Sequence, residues 1–101
     1  MSIMMRIIQQ FTPGNEQEFM ALEKKFDELE QKRSDYPKGK RMQPISASET
    51  CNTLIWQCEF PDLNTAYKTL DFFSGDMEHE RLFQEQVQYM KSVRVEFYKI
   101  L

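Results

Sequence analysis

The segment CNTLIWQCEF, residues 51–60, restricts the choice of fold more than any other part of the chain. In an extended backbone its alternate residues Leu54, Trp56, Cys58 and Phe60 share one side, and the residues between them share the other. Alternation of this kind, with β-branched and aromatic residues, is typical of a half-buried strand. Pro61 ends the pattern because proline has no N–H to donate to a neighbouring strand. The segment therefore predicts a strand with one side turned to a core.

Helical segments are predicted before and after this strand. The first begins at Asn15 and runs to about residue 34, because apolar residues recur at spacings of three and four and form one stripe: Phe19, Leu22, Phe26 and Leu29. Its other faces carry charged residues, Glu23 among them, and are expected to face solvent. The second segment is capped by Asp62, breaks at Gly75-Asp76 and continues to about residue 90.

Further strands are predicted at residues 3–11, 40–48 and 93–101. The strand at 40–48 is the least regular, since Pro44 is compatible only with an edge strand or a bulge. The order is β-α-β-β-α-β, which is the split βαβ, ferredoxin-like pattern. We therefore predict one α+β domain spanning residues 1–101, with a four-stranded antiparallel sheet and helices on one face.

Charge and composition argue against several classes of partner. A net charge of -3 makes the chain a poor ligand for a phosphate backbone, so we expect no nucleic-acid partner. No window approaches the ~18 apolar residues of a membrane span, so we expect no membrane partner and a cytoplasmic location. Cys51 and Cys58 lie on opposite sides of one predicted strand and too far apart to bridge, so both thiols are expected to be free.

One face of the predicted sheet should be covered by the helices and the other should be open. The more apolar set of alternating residues is assigned to the covered face: Ile3, Met5, Ile7, Leu54, Trp56, Cys58, Val93, Val95 and Phe97. The open face is mixed and carries Met4, Arg6, Ile8, Arg41, Gln43, Ile45, Ile55, Gln57, Glu59, Arg94, Glu96, Tyr98 and Ile100. A monomer would expose a large apolar patch there, whereas a dry core would make the charges costly. We therefore expect a homodimer that buries this face and encloses a partly polar cavity.

A set of polar side chains on the open face is a candidate site for a small organic ligand. Its members are Arg6, Arg41, Gln43, Gln57, Arg94 and Tyr98. The arginines would pair with an anionic group such as a carboxylate or phenolate, and the amides and the phenol would orient the ligand. The alternative is that the arginines pair only with Glu59 and Glu96 across the interface, as opposite charges on neighbouring strands commonly do.

The order of the predicted elements and several short segments of the sequence also resemble a known superfamily. The features that carry the likeness are the strand end Phe60-Pro61-Asp62-Leu63, a helix at residues 66–73, the Gly75-Asp76 break, a second helical stretch and a closing strand VEFYKIL at residues 95–101. Together they resemble the dimeric α+β barrel superfamily, which includes antibiotic-biosynthesis-type monooxygenases and NIPSNAP-like proteins. The resemblance implies a homodimeric α+β barrel. Members of the superfamily act as cofactor-independent oxygenases, haem-degrading enzymes or isomerases, or have no known activity.

The haem-degrading branch of that superfamily uses an asparagine on the first strand, a tryptophan at the end of the third strand and a histidine on the following helix. In this chain those positions fall on Gln9 or Gln10, on Phe60 and near Leu82. The chain departs from the pattern at all three places, so we expect no haem and no other cofactor.

His79 is the only histidine and lies between Glu78 and Glu80 near the start of a helix. One interpretation is a general base, because the pKa of imidazole suits proton transfer. The alternative is a solvent-facing helix residue between two acids. A metal site is not expected, since one histidine and two distant cysteines do not form a ligand set with usable spacing.

The sequence therefore supports competing hypotheses of function. The first is a cytoplasmic dimer that binds a small organic ligand and acts on it as a cofactor-independent oxygenase or isomerase. The other is a non-enzymatic structural or interaction module whose open sheet face serves only dimerisation. An enclosed polar cavity favours the first hypothesis and a filled interior favours the second.

Overall fold

The computed structural model describes residues 1–101 and has the predicted order of elements. The elements are β1 (Ile3–Phe11), α1 (Glu16–Lys32), β2 (Lys40–Met42), β3 (Thr53–Phe60), α2 (Leu63–Gly75), α3 (Met77–Gln86), a 3-10 turn (Val87–Tyr89) and β4 (Met90–Lys99). The break of the second helical segment falls between α2 and α3, as Gly75-Asp76 predicts. The predicted helices and strands are therefore confirmed, with shorter bounds for β2.

The strands form one antiparallel sheet of four strands in the order β2-β3-β1-β4. In the central strands, residues 3–10 of β1 pair with residues 53–60 of β3, and the register sets Ile7 opposite both Trp56 and Val95. Directly paired residues point to the same side of a sheet, so these three lie on one face. The α+β, ferredoxin-like fold predicted from the sequence is confirmed.

The helices cover one face of this sheet and the hydrophobic core lies between them and the strands. Met5, Trp56 and Cys58 from the strands pack with Phe26 of α1 and Phe73 of α2. A smaller cluster of Phe11, Phe19 and Leu54 fills the far end of the same layer. The assignment of the alternating apolar residues to the covered face is correct for these strands. No helix of the chain combines the length and apolar character needed to cross a bilayer.

The edge strand β2 corrects one part of the sequence prediction. Only Lys40–Met42 form the strand, and Arg41 pairs with Trp56. Arg41 therefore faces the helices, and its placement on the open face is wrong. Because side chains alternate along a strand, an error of one residue in register moves a side chain to the opposite face. Gln43 lies beyond the end of the strand and is exposed.

The connection between β2 and β3, residues 43–52, returns over one end of the open face. The hydroxyl of Thr50 accepts a hydrogen bond from Gln10 at 2.9 Å, and Glu49 forms an ion pair with Arg94. Ile8 lies beside these contacts and is 4% exposed, although its register assigns it to the open face. This end of the face is thus covered by the chain itself, whereas the sequence predicted a face that is open along its whole length.

Asp76 anchors the junction of α2 and α3. Its carboxylate accepts hydrogen bonds from the backbone N–H of His79 at 3.1 Å and from the Tyr36 hydroxyl at 2.5 Å, and it pairs with Arg33 at 2.9 Å. The first of these bonds caps α3. The others tie the cap to the segment that follows α1. The junction therefore holds the first turn of α3, including His79, in a set position against the core.

Candidate functional site

A cavity of about 360 Å³ lies between the helices and the sheet face that they cover. This volume is at the lower end of the range for small-molecule sites. Its apolar walls include Ile7, Phe26, Trp56, Leu70, Phe73, Phe83, Val93 and Val95. Its polar lining includes Gln9, Glu23, Glu30, Tyr36, Arg41, His79, Glu80 and Gln86. The interior of the fold is thus hollow and partly polar.

The cavity opens along β4. Val93 and Val95 belong to the face that the helices cover, yet they are 51% and 38% exposed. Further along β4, Phe97 packs against the core and its ring lies 5.1 Å from that of Tyr67 on α2, so the uncovered part of the strand is the stretch at Val93 and Val95. A molecule the size of a small organic compound can therefore approach the cavity past these valines.

His79 forms part of the cavity wall. Its ring stacks on Phe73 with centroids 4.8 Å apart and planes 2° apart, and it lies 4.9 Å from the ring of Phe26. Its Nδ1 is buried without a hydrogen-bond partner. Burial lowers the pKa of the imidazole, which Asp76 and Glu80 partly oppose. The interpretation of His79 as a solvent-facing residue is wrong.

A buried ion cluster forms another part of the wall. Arg41 Nε contacts Glu23 Oε2 at 2.6 Å, and a terminal nitrogen of the same guanidinium contacts Glu30 Oε2 at 2.5 Å. The two glutamate side chains are each 6% exposed. The guanidinium also contacts Asp27 at 3.3 Å on the outer side. One cation therefore serves three carboxylates.

Hydrogen bonds from neighbouring side chains complete this cluster. Trp56 Nε1 donates to Glu30 Oε1 at 2.8 Å, and Gln86 Nε2 donates to Glu23 Oε1 at 2.9 Å. Burial raises the pKa of the Glu30 carboxyl, and the charge and hydrogen bonds of Arg41 offset only part of that rise. The cluster joins α1, β2, β3 and α3, so it ties the cavity wall together.

Three of the predicted ligand-binding residues come together on the open face. Arg6 Nε donates to Gln57 Oε1 at 3.0 Å, and its guanidinium carbon lies 5.0 Å from the centroid of the Tyr98 ring. The Tyr98 hydroxyl donates to Glu96 at 2.5 Å. Arg6 has no carboxylate partner among the ion pairs. This group on the open face therefore remains a candidate site for an anionic ligand.

Arg94 lies on the same face and is joined to that group by Glu96, which pairs with Arg94 at 2.9 Å and accepts a hydrogen bond from Tyr98. Arg94 also pairs with Glu49, so its ion pairs form within one chain, whereas the predicted alternative placed the pairs with Glu59 and Glu96 across an interface. Arg41 lies on the opposite face, in the ion cluster of the cavity, and Gln43 lies outside the sheet. The predicted cationic lining is therefore divided between two faces.

Sequence reasoning missed the acidic residues of the cavity. Glu23 is buried, and its assignment to a solvated face of α1 is wrong. The signal was present: Glu23 and Glu30 follow Phe19 and Phe26 by four residues each, which is the spacing of one helix face. Carboxylates on an apolar stripe require buried partners, but the sequence did not identify Arg41, Trp56 and Gln86 as those partners.

The cysteines and acidic residues do not provide a metal site. Cys51 is exposed and Cys58 is buried, and both are free, as the sequence predicts. No group of histidine, cysteine, aspartate and glutamate side chains is arranged to hold a metal ion.

Comparison with solved structures identifies proteins of the same fold. An uncharacterized NIPSNAP domain protein from Burkholderia xenovorans superposes with a TM-score of 0.78 at 17% identity, covering 100% of this chain and 95% of that chain. An antibiotic biosynthesis monooxygenase gives 0.73 at 11% identity, with coverages of 98% and 98%. A NIPSNAP family protein from Agrobacterium tumefaciens gives 0.71 at 10% identity, with coverages of 98% and 92%. No family model and no curated protein matches the sequence. The resemblance inferred from the sequence is therefore confirmed at the level of the fold.

Proposed function

We propose that the chain binds a small organic ligand in the cavity between its helices and its sheet. The observation that carries this proposal is the cavity itself, about 360 Å³ in a domain of 101 residues. Protein interiors are normally packed without voids larger than a water molecule, because an empty cavity forfeits contacts. A void of this size with apolar walls and several polar groups is typical of a ligand site.

The residues of the cavity also suit a chemical step. A cofactor-independent oxygenase or an isomerase needs a group that takes a proton from the ligand. His79 suits this role because its lowered pKa keeps the imidazole neutral near pH 7 and its Nδ1 has no protein partner. That a structural neighbour is named as an antibiotic biosynthesis monooxygenase supports a search for turnover as well as binding.

Binding is testable with a neutral aromatic probe, 1-naphthalenemethanol, followed by the NMR signals of the His79 ring. The chain has a single histidine, so these signals are unambiguous. We expect saturable shifts of the signals. Val95→Trp places a large side chain at the cavity opening and should weaken binding about tenfold or more, which corresponds to ~1.4 kcal/mol.

The matched control for this experiment is Val87→Trp. Val87 is 41% exposed and does not line the cavity, so its replacement should leave binding unchanged. Unperturbed His79 signals at all probe concentrations, or equal binding by both variants and the parent chain, would contradict the proposal. The structural or interaction module would then be the better description of the protein.

The open sheet face supports a second proposal, that two copies of the chain pair there as a homodimer. Part of the face is covered by residues 43–52, but Met42, Tyr98 and Ile100 remain 37%, 45% and 39% exposed. Ile45, on the covering connection, is fully exposed at 101%. Exposed apolar side chains grouped on one face favour an interface, and a two-fold axis would let the same patch serve both subunits.

Light scattering should therefore give a mass near twice 12.2 kDa. Ile45→Glu places a charge in the proposed interface and should shift the mass towards the monomer while leaving the unfolding midpoint of the isolated chain similar. Met77→Glu is the control, since Met77 is 87% exposed on α3, away from the open face. A parent chain that is monomeric at high micromolar concentration would refute the dimer.

A further inference from the structure

We infer that the ligand of this cavity carries a protonated amine, and that ligands bearing a carboxylate are rejected. The inference rests on the proposed function, because it names the ligand class of the same cavity. It reverses the expectation from the sequence, in which arginines would select an anionic molecule. The reversal follows from where the structure places the charges.

The cavity wall has more acidic than basic groups. Glu23, Glu30 and Glu80 line it, whereas Arg41 is its only cationic side chain. The charge of Arg41 is moreover shared with Asp27 on the outer side. In a low-dielectric interior an unbalanced negative charge repels an anion and attracts a cation strongly. A carboxylate ligand would therefore bring like charge into an already acidic site.

The unpartnered polar atoms of the interior point to the same ligand class. Gln9 Oε1 and His79 Nδ1 are buried side-chain atoms with no hydrogen bond and no ion pair, and both residues line this cavity. The carboxylate of Glu30, 5% exposed in the same wall, is held by Arg41 at 2.5 Å and by Trp56 Nε1 at 2.8 Å. Gln9 Oε1 and His79 Nδ1 can accept hydrogen bonds, and an ammonium group has three N–H donors and no acceptor.

The aromatic walls provide a further attraction for a cation. Phe26, Trp56 and Phe73 line the same cavity. A cation over the face of an aromatic ring is attracted by the electrons of the ring, and the attraction is stronger when water is excluded. An organic amine can thus bury its carbon skeleton against these rings and direct its charge to the acidic wall. Burial of the charge is offset by the ion pair and hydrogen bonds that it forms there.

A matched set of probes on one skeleton tests the inference: 1-naphthalenemethylamine, 1-naphthalenemethanol and 1-naphthoate, each titrated at pH 7 and followed by the His79 ring signals. We expect the amine to bind about tenfold more tightly than the alcohol, and the carboxylate to bind at least tenfold more weakly than the alcohol. Binding of the carboxylate equal to or tighter than that of the amine overturns the inference and leaves the proposed function in place. Binding of none of the three overturns both.

Variants that replace a glutamate by the neutral glutamine show which carboxylate attracts the amine. Glu30→Gln should lower the affinity for the amine about tenfold and leave the affinity for the alcohol unchanged. Glu80→Gln, at a half-buried position of the cavity wall on α3, should lower the affinity for the amine about threefold and keeps the test valid if Glu30→Gln does not fold. Glu85→Gln is the matched control, because Glu85 is exposed on α3 and does not line the cavity. Amine affinity that is the same in the folded cavity variants as in Glu85→Gln contradicts the inference.

Discussion

Replacing Arg41 with methionine is expected to lower the free energy of unfolding by about 3–5 kcal/mol at pH 7.5, the range for removing one partner of a buried ion pair. The reason is the position of Glu23 and Glu30, whose side chains are each 6% exposed and share this one guanidinium inside the fold. Methionine fills similar space but leaves both carboxylates without a cation. Urea denaturation followed by Trp56 fluorescence measures the change, since Trp56 is the only tryptophan.

The loss should depend on pH, and its sign follows from the carboxyl of Glu30. Without Arg41 the folded-state pKa of Glu30 rises further above its ordinary value of 4.5. A raised folded-state pKa costs stability above the unfolded pKa, and the cost disappears as the pH falls towards that value because the folded carboxyl takes up a proton. The variant should therefore lie closer to the parent chain at pH 5 than at pH 7.5.

Lys32→Met is the control for the Arg41 variant. Lys32 pairs with Glu78 at 3.6 Å between side chains that are 66% and 45% exposed on the helices, and exposed pairs contribute little. We expect almost no loss of stability and no such pH dependence. A second check is Glu30→Gln in the Arg41→Met chain, which should restore part of the loss because one uncompensated charge is removed. If Arg41→Met and Lys32→Met lose the same stability, the cluster does not have the energetic role assigned to it.

Gly39→Ala is expected to lower the free energy of unfolding by about 3 kcal/mol. This is the cost of overpacking a core position together with the loss of one hydrogen bond. A Cβ at this position would overlap the indole ring of Trp56, which is 4% exposed. Either the ring or the start of β2 has to move. The hydrogen bond from Trp56 Nε1 to Glu30 would be lost with that movement. The fluorescence maximum of Trp56 should shift together with the unfolding midpoint.

Gly75→Ala serves as the control for Gly39→Ala. A Cβ at Gly75 meets no atom within 4 Å, and the residue does not have a positive φ. We expect unchanged stability or a gain of roughly 0.5 kcal/mol, since alanine reduces the freedom of the unfolded chain. A Gly39→Ala protein as stable as Gly75→Ala would show that the Trp56 ring does not pack closely against Gly39.

Much of the fold could be predicted because it depends on local periodicity. The alternation around Trp56 and the apolar stripe of α1 each identify their element and its buried side. Asp62 and Asp76 cap α2 and α3, and their side chains accept hydrogen bonds from the backbone N–H groups of Thr65 and His79. These features depend on neighbours within a few residues. They are therefore present in the sequence before any tertiary contact forms.

The candidate site could be predicted only in part. His79 was identified as a candidate general base, and the structure places it in the cavity wall. Arg41 was identified as a ligand-binding residue but assigned to the wrong face, because a strand of three residues beside Pro44 has no repeating pattern to set its register. Glu23 was assigned to the solvent-facing side because it is charged, although it follows Phe19 by four residues and so lies on the buried side of α1.

The sequence by itself determined the order of elements, the break at Gly75-Asp76 and the face of each long strand that meets the core. Only the tertiary structure decided where the charges meet. It placed Arg41 with Glu23 and Glu30 inside the cavity, and it placed Arg6 and Arg94 on the other face of the sheet. Periodicity shows which side of an element is buried, but pairing of a buried charge depends on residues far apart in the chain. That pairing exists only once α1, β2 and α3 have packed together.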